Sequence, residues 1–188
     1  MKKKILIIAG GFSREREISL KTAKGVFNAI KKKYITKICE PNGELIKNLR
    51  SFKPNVVFNA LHGRYGEDGY VQSILELENI KYTHSGVLSS SIAIDKELSK
   101  KIFKKEKIIT PKYFKYKFNK SEKKSSLIDK IKKKIGFPVV IKPFNEGSSV
   151  EVYICNEKNI LKRINKLSNY REIMIEKYIS GREIQVAI

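Results

Sequence analysis

The chain has 188 residues, 40 of them Lys or Arg and 19 Asp or Glu, for a formal charge of +21; 41% are hydrophobic and 31% charged. That length accommodates one large domain or two small ones, and the composition is that of a soluble globular protein. No apolar run approaches the ~20 residues of a membrane-spanning helix, and the basic start Met1-Lys2-Lys3-Lys4 leads into too short an apolar core for a secretory leader, so a cytoplasmic protein is expected. The lysines are spread over 31–33, 100–105, 123–124 and 132–134, with no zinc-finger or RNP-type motif beside them. They imply salt-sensitive sticking to polyanions rather than specific nucleic-acid recognition. Cys39 and Cys155 lack metal-like spacing and are expected to be two buried, reduced thiols.

Ile5-Leu6-Ile7-Ile8-Ala9 reads as a parallel strand buried on both faces, turned by Gly10-Gly11. Ser19 then reads as an N-cap, with Leu20, Ala23, Val26, Phe27 and Ile30 at helical spacing. Asn55 to Leu61 is a second buried strand ending at His62-Gly63, followed by a helix with Val71, Ile74, Leu75 and Leu77 inward. Ile80 to Thr83 is a short strand before Ser85-Gly86. Strands alternating with helices predict an α/β sheet whose site lies at the carboxyl ends of its strands, where all three glycine turns fall.

From about residue 90 the pattern changes. Ser91 to Lys105 reads as one helix with Ile94, Leu98, Ile102 and Phe103 on one face. Tyr113 to Phe118 is extended, Lys120 to Ser126 a loop, and Leu127 to Ile135 a basic amphipathic helix. Strands over 138–142 and 150–154, a helix over 157–167, and strands near 172–177 and 183–188 complete an antiparallel-rich α+β unit. A boundary is placed at 86–95, giving domains 1–90 and 91–188. The last predicted strand reaches Ile188 with no cap after it, which reads as the front part of a longer protein.

Val139-Val140-Ile141 runs into Lys142, and a charged amine at the end of a buried strand needs an anion. The following Glu146-Gly147-Ser148-Ser149 loop is rich in backbone donors and hydroxyls, so lysine and loop together suit a phosphate. A hairpin with a snorkelling lysine is the alternative. Neither GxxxxGK[ST] nor GxGxxG occurs. Elsewhere, Glu15 stands beside a glycine turn and a helix start, and His62 at a strand end beside Glu67 and Asp68, which read as caps for the helix near Gly69. The strand–link–strand stretch MIEKYISGREI (174–184) can offer backbone donors and acceptors to an adenine edge, with Glu176 or Glu183 accepting from a base amine or ribose hydroxyl.

Five stretches, GGFSREREISL (10–20), HGRYGEDGYVQ (62–72), YTHSGVLSSSIAIDKELSK (82–100), GFPVVIKPFNEGSSVEV (136–152) and IEKYISGREIQVAI (175–188), resemble in order and spacing the D-alanine–D-alanine ligases of the ATP-grasp superfamily. The resemblance implies an N-terminal parallel-sheet domain of the pre-ATP-grasp, Rossmann-like kind, then an α+β ATP-grasp subdomain whose C-terminal part is missing here. It implies ATP and Mg²⁺ (or Mn²⁺) as cofactors, two D-alanines as substrates, a role in peptidoglycan synthesis, and a homodimer through the N-terminal domain. In that family the first D-alanine carboxylate is phosphorylated to an acyl phosphate, which the second D-alanine amine attacks. Glu15 matches the carboxylate holding the first ammonium, His62 a histidine beside the substrates, and Ser148 the serine that orients Glu15 and substrate. Lys96 and Lys142 match the phosphate lysines, and Glu146, Gly147 and Ser149 belong to the loop over the phosphates. Glu176, Lys177 and Ile179 match the adenine-binding link, and Glu183 the ribose-binding carboxylate. The family's metal ligands lie beyond Ile188, so these residues alone are expected to be inactive. His84 and Glu151 stand where the family has glycine, and Glu151 adds negative charge near an anion. Related ATP-grasp chemistry, such as D-alanine–D-lactate ligation, and a non-catalytic nucleotide-binding truncation are the competing readings.

Overall fold

The computed structural model describes residues 1–118, 124–147 and 150–184. Contacts divide the chain into two units, Met1–Ser99 with Asn145–Ser148, and Lys100–Phe144 with Ser149–Ile188. Among the described residues no helix is long and apolar enough to cross a membrane.

The first unit is built on β1 (Lys4–Ile8), central in a parallel sheet between β2 (Ile35–Cys39) and β3 (Val56–Asn59). The alternation of a strand sends Leu6 and Ile8 to one face and Ile7 and Ala9 to the other. Leu6 and Ile8 pack with Leu45 and Leu49 of α2 (Leu45–Phe52) and with Val71 and Leu75 of α3 (Tyr70–Leu77). Ile7 and Ala9 pack with Ala23, Val26 and Phe27 of α1 (Arg16–Ile30). Both faces are therefore covered, as the continuous apolar run in β1 requires.

Several elements depart from the sequence reading. Glu15, not Ser19, occupies the N-cap of α1. Ser19 lies one turn inside, fully buried, and its Oγ accepts from the Gly10 N–H at 2.8 Å. Leu77 is turned to solvent at 79% exposure, because it falls off the Val71–Leu75 stripe. Ile80 to Thr83 forms only an isolated parallel bridge, Val57 to Tyr82. The single helix expected over 91–105 is two, α4 (Val87–Ile94) and α5 (Lys96–Lys105). Asp95 breaks it: its backbone is extended, and its Oδ1 accepts from the N–H groups of Glu97 and Leu98 at 2.8 and 3.0 Å, a side-chain cap that starts a new helix.

The second unit is an antiparallel sheet in the order β4 (Tyr113–Lys117), β7 (Glu172–Lys177), β5 (Val139–Pro143), β6 (Tyr153–Cys155). Phe114, Tyr116, Val139, Ile141, Ile173 and Ile175 form one core with α6 (Lys124–Lys134), through Leu127 and Ile131, and α7 (Ile160–Lys166), through Ile160 and Ile164. The strand expected at 150–154 is confined to β6, and Glu183 and Ile184 lie outside any strand; the rest of the expected last strand, 185–188, falls outside the described residues. Cys39 and Cys155 are free and buried.

Candidate active site

In the first unit the loops after β1 and β3 meet at the start of α1. Glu15 is buried at the N-cap, where the positive end of the helix dipole favours a carboxylate. Its N–H donates to Ser13 Oγ at 3.1 Å. Gly63 has φ +68° and packs so close to Glu15 that a methyl there would lie 3.0 Å from Oε2, so glycine is needed for both conformation and space. His62 Nε2 is within hydrogen-bond reach of Thr22 Oγ1 on α1, at 3.3 Å, and its Nδ1 faces Glu67 Oε1 at 3.6 Å. Asp68 does the capping work expected of the pair, with Oδ1 and Oδ2 accepting from the N–H groups of Tyr70 and Tyr65; Glu67 instead faces His62.

The stretch 145–147 joins this cluster. A methyl on Gly147 would sit 3.6 Å from both Glu15 Oε2 and Glu67 Oε2. The Glu146 carbonyl accepts from Lys96 Nζ at the first position of α5. Glu15, His62, Glu67, Lys96, Glu146 and Gly147, drawn from four separate stretches of the sequence, thus belong to one unit. Thr22 and Glu67 were missed as site residues, and the spacing of a lone Thr on a helix gives no signal for it.

In the second unit β5 and β7 present a buried charge cluster. The anion that meets Lys142 is Glu176: Lys142 Nζ donates to its Oε1. Lys100 Nζ is 3.0 Å from Oε2 of the same carboxylate. Lys177 Nζ donates to the Phe137 carbonyl at 3.1 Å, and its own N–H to Lys112 O at 2.8 Å. Ile179 and Glu183 are exposed beyond β7. Ser148 and Ser149 lie outside the described residues.

His84 and Glu151, expected to stand in place of glycine, both take left-handed backbone, at φ +80° and +54°. A side chain at such a position is strained, which is the physical reason glycine suits it. Glu151 Oε2 accepts from Tyr170 Oη at 2.5 Å, which engages the extra negative charge. Among the described residues no group of three or more His, Cys, Asp or Glu side chains is placed to hold a metal ion.

Comparison with known proteins gives a consistent picture. The family model described as D-ala D-ala ligase N-terminus matches residues 37–85, and that described as D-ala D-ala ligase C-terminus matches 102–188. The chain is 60% identical over 189 residues to a D-alanine–D-alanine ligase of Pelagibacter ubique, covering all of this chain and 62% of that protein. It is 37% identical over 188 residues to the corresponding protein of Carboxydothermus hydrogenoformans, covering 98% of this chain and 60% of that one. Among solved structures it is similar to the D-alanine–D-alanine ligase from Bacillus anthracis, with TM-score 0.80 at 35% identity over 95% of this chain and 58% of that one. The same ligase complexed with ATP gives TM-score 0.77 at 33% identity, covering 95% and 60%. The chain therefore spans 58–62% of the length of these relatives.

Proposed function

Because the chain belongs to the D-alanine–D-alanine ligase family, we propose that it supplies the substrate-holding and phosphate-holding residues of a ligase that joins two D-alanines with ATP. The observation that carries this reading is the arrival of Gly147 and Glu146, from the stretch after Lys142, beside Glu15, Glu67 and Lys96 in the first unit. A loop suited to phosphate thereby stands against a buried carboxylate suited to an ammonium.

Residues 1–90 hold the amino acid and residues 91–188 the nucleotide. Glu15 binds the ammonium of the first D-alanine. His62, bonded to Thr22 and facing Glu67, lines the substrate. Gly147 and Ser149 belong to the loop over the phosphates, which excludes water, and Ser148 orients Glu15 and the substrate. Lys96 and Lys142 neutralise phosphate charge as point charges, a task that requires no covalent nucleophile from the protein. Glu176, Lys177 and Ile179 meet the adenine, and Glu183 the ribose. Each lysine fits that task within its own unit: Lys142 at the end of a strand against a buried carboxylate, and Lys96 at the start of α5 against the Glu146 carbonyl. When bound, ATP supplies the phosphoryl group that activates the first D-alanine carboxylate. Mg²⁺ or Mn²⁺ is the proposed second cofactor; the described residues do not build its site, and the cations they offer to phosphate are the lysines. The product would be made in the cytoplasm and would supply peptidoglycan synthesis. A homodimer through residues 1–90 belongs to the same proposal, with exposed Phe12, Ile46 and Tyr70, which line one hollow, as its apolar surface.

The test is D-alanine-dependent phosphate release by the protein expressed from its complete gene, with D-lactate offered as an alternative acceptor. Dipeptide formation supports the reading, and release with D-lactate alone as acceptor moves it to the related ligation. No release with either acceptor overturns it. Residues 1–188 by themselves are proposed to bind nucleotide without turnover.

A further inference from the structure

α5 is built the wrong way round for a surface helix. Its apolar Leu98, Ile102 and Phe103 are 40–43% exposed, while Lys100 is the residue it buries, at 9%. The buried end is fully occupied. Nζ donates to the Pro111 carbonyl at 3.0 Å, lies 3.0 Å from Glu176 Oε2, and stands 5.1 Å from the centroid of the Tyr113 ring. Tyr113 and Val140 flank Glu176 on the neighbouring strands, so it lies near the end of an interior strand. Glu176 is itself buried and shared: Lys100 takes one oxygen and Lys142 the other. The two cations are not equivalent, since the Lys142 side chain is 20% exposed and the Lys100 side chain 9%.

Two cations on one buried carboxylate leave one positive charge in excess. We propose that Lys100 is a positioning residue: it keeps Glu176 neutralised and fixed, so that Lys142 can leave Glu176 for an incoming phosphate. Were Lys142 the only cation there, moving it would strand a buried carboxylate, a large penalty. Lys100 removes that penalty and makes Lys142 transferable. The inference rests on the reading of Lys142 as a phosphate ligand and deepens it. It also gives Glu176 a second role, as the resting partner of the lysine that phosphate claims.

The experiment measures ATP and adenosine binding by calorimetry to the full chain and its variants. Lys100→Met should weaken ATP by roughly tenfold or more, as expected when a buried charge loses a partner. It should leave adenosine, which needs no Lys142, unchanged. Lys100→Arg should retain ATP affinity, and Lys100→Met combined with Glu176→Gln should recover part of the loss, since no carboxylate is then stranded. A parallel loss of ATP and adenosine affinity in Lys100→Met, or no loss of either, overturns the proposal. Should that variant fail to fold, the wild-type crystal structure with a non-hydrolysable ATP analogue decides. Lys142 on phosphate with Lys100 still on Glu176 supports the proposal, and Lys100 displaced from Glu176 overturns it. Failure of the underlying reading looks different: Lys142→Met would leave ATP affinity unchanged.

Discussion

Gly66 lies in the loop between β3 and α3 and gives the sharpest test of how the first unit holds its site. Its carbonyl accepts from two buried side-chain amides, Asn59 Nδ2 and Gln72 Nε2, each at 2.8 Å. A methyl in Gly66→Ala would lie 2.3 Å from Leu61 Cβ and 3.0 Å from the Leu61 carbonyl carbon. Carbons in contact stand about 3.5–4.0 Å apart, so the backbone must move by roughly an ångström. Overpacking of this kind costs about 1–3 kcal/mol. The movement also pulls the carbonyl from two buried donors, at about 1–3 kcal/mol for each left unpaired. The sum, about 3–9 kcal/mol, is a large part of the ~5–15 kcal/mol that holds a domain together. Native-state hydrogen exchange at the amides of Leu6 and Ile8, in the core strand, reads the unit directly. Protection there should fall by at least about 3 kcal/mol. A fall below about 1 kcal/mol would show that the loop yields freely and would refute the reasoning.

Other outcomes follow from the same structure. Gly25 is exposed inside α1, with nothing within 4 Å of an added Cβ, so Gly25→Ala should raise stability by about 1 kcal/mol in the same exchange assay. Lys53 ends α2 with left-handed backbone at φ 51°, so Lys53→Gly should stabilise by about 1 kcal/mol, read as a shift in urea midpoint. Burial pushes the thiols of Cys39 and Cys155 from 9.0 up to about 11. Burial and then the bond to Glu76 push Tyr82 from 10.0 up to about 12. All three groups are neutral when folded and ionise first in the unfolded chain. Their stability contribution is therefore complete below pH 9.0 and is lost as pH rises to about 12. Urea midpoints that stay level across that window would contradict this. Glu15→Gln removes the charged partner of the proposed ammonium and should raise the KM for D-alanine by about tenfold or more, with ATP binding unaffected.

What the sequence revealed depended on how local the signal was. β1, β3, β5 and β7 are apolar runs whose burial needs no knowledge of their neighbours, and all four are present. Glu15, His62 and Gly63 stood out because glycine turns flank them. β2 and α2 went unread: β2 is an edge strand with Ile35 and Ile38 partly exposed, so no clean pattern marks it. That α5 buries Lys100 and exposes its apolar face was hidden for a deeper reason. Helical periodicity ranks side chains by polarity, and the anion that draws Lys100 inward is Glu176, on a strand far along the chain. Glu67 was missed at short range: it was read with Asp68 as a helix cap, whereas its carboxylate turns back toward His62, five residues earlier.

The short return of 145–147 to the first unit bears on how this protein can be recombined with its relatives. Lys96 and the carbonyl it holds, on Glu146, are 50 residues apart in the chain yet belong to one unit. α5 carries Lys96 in one unit and Lys100 in the other. A chimera that takes residues 1–99 from this chain and the remainder from a homologue would therefore receive a foreign piece into the heart of its first unit, and would split a helix between two ancestries. Segments 1–99 and 145–148 are inherited as a pair, and a crossover between them is viable only where both parents shape that contact alike.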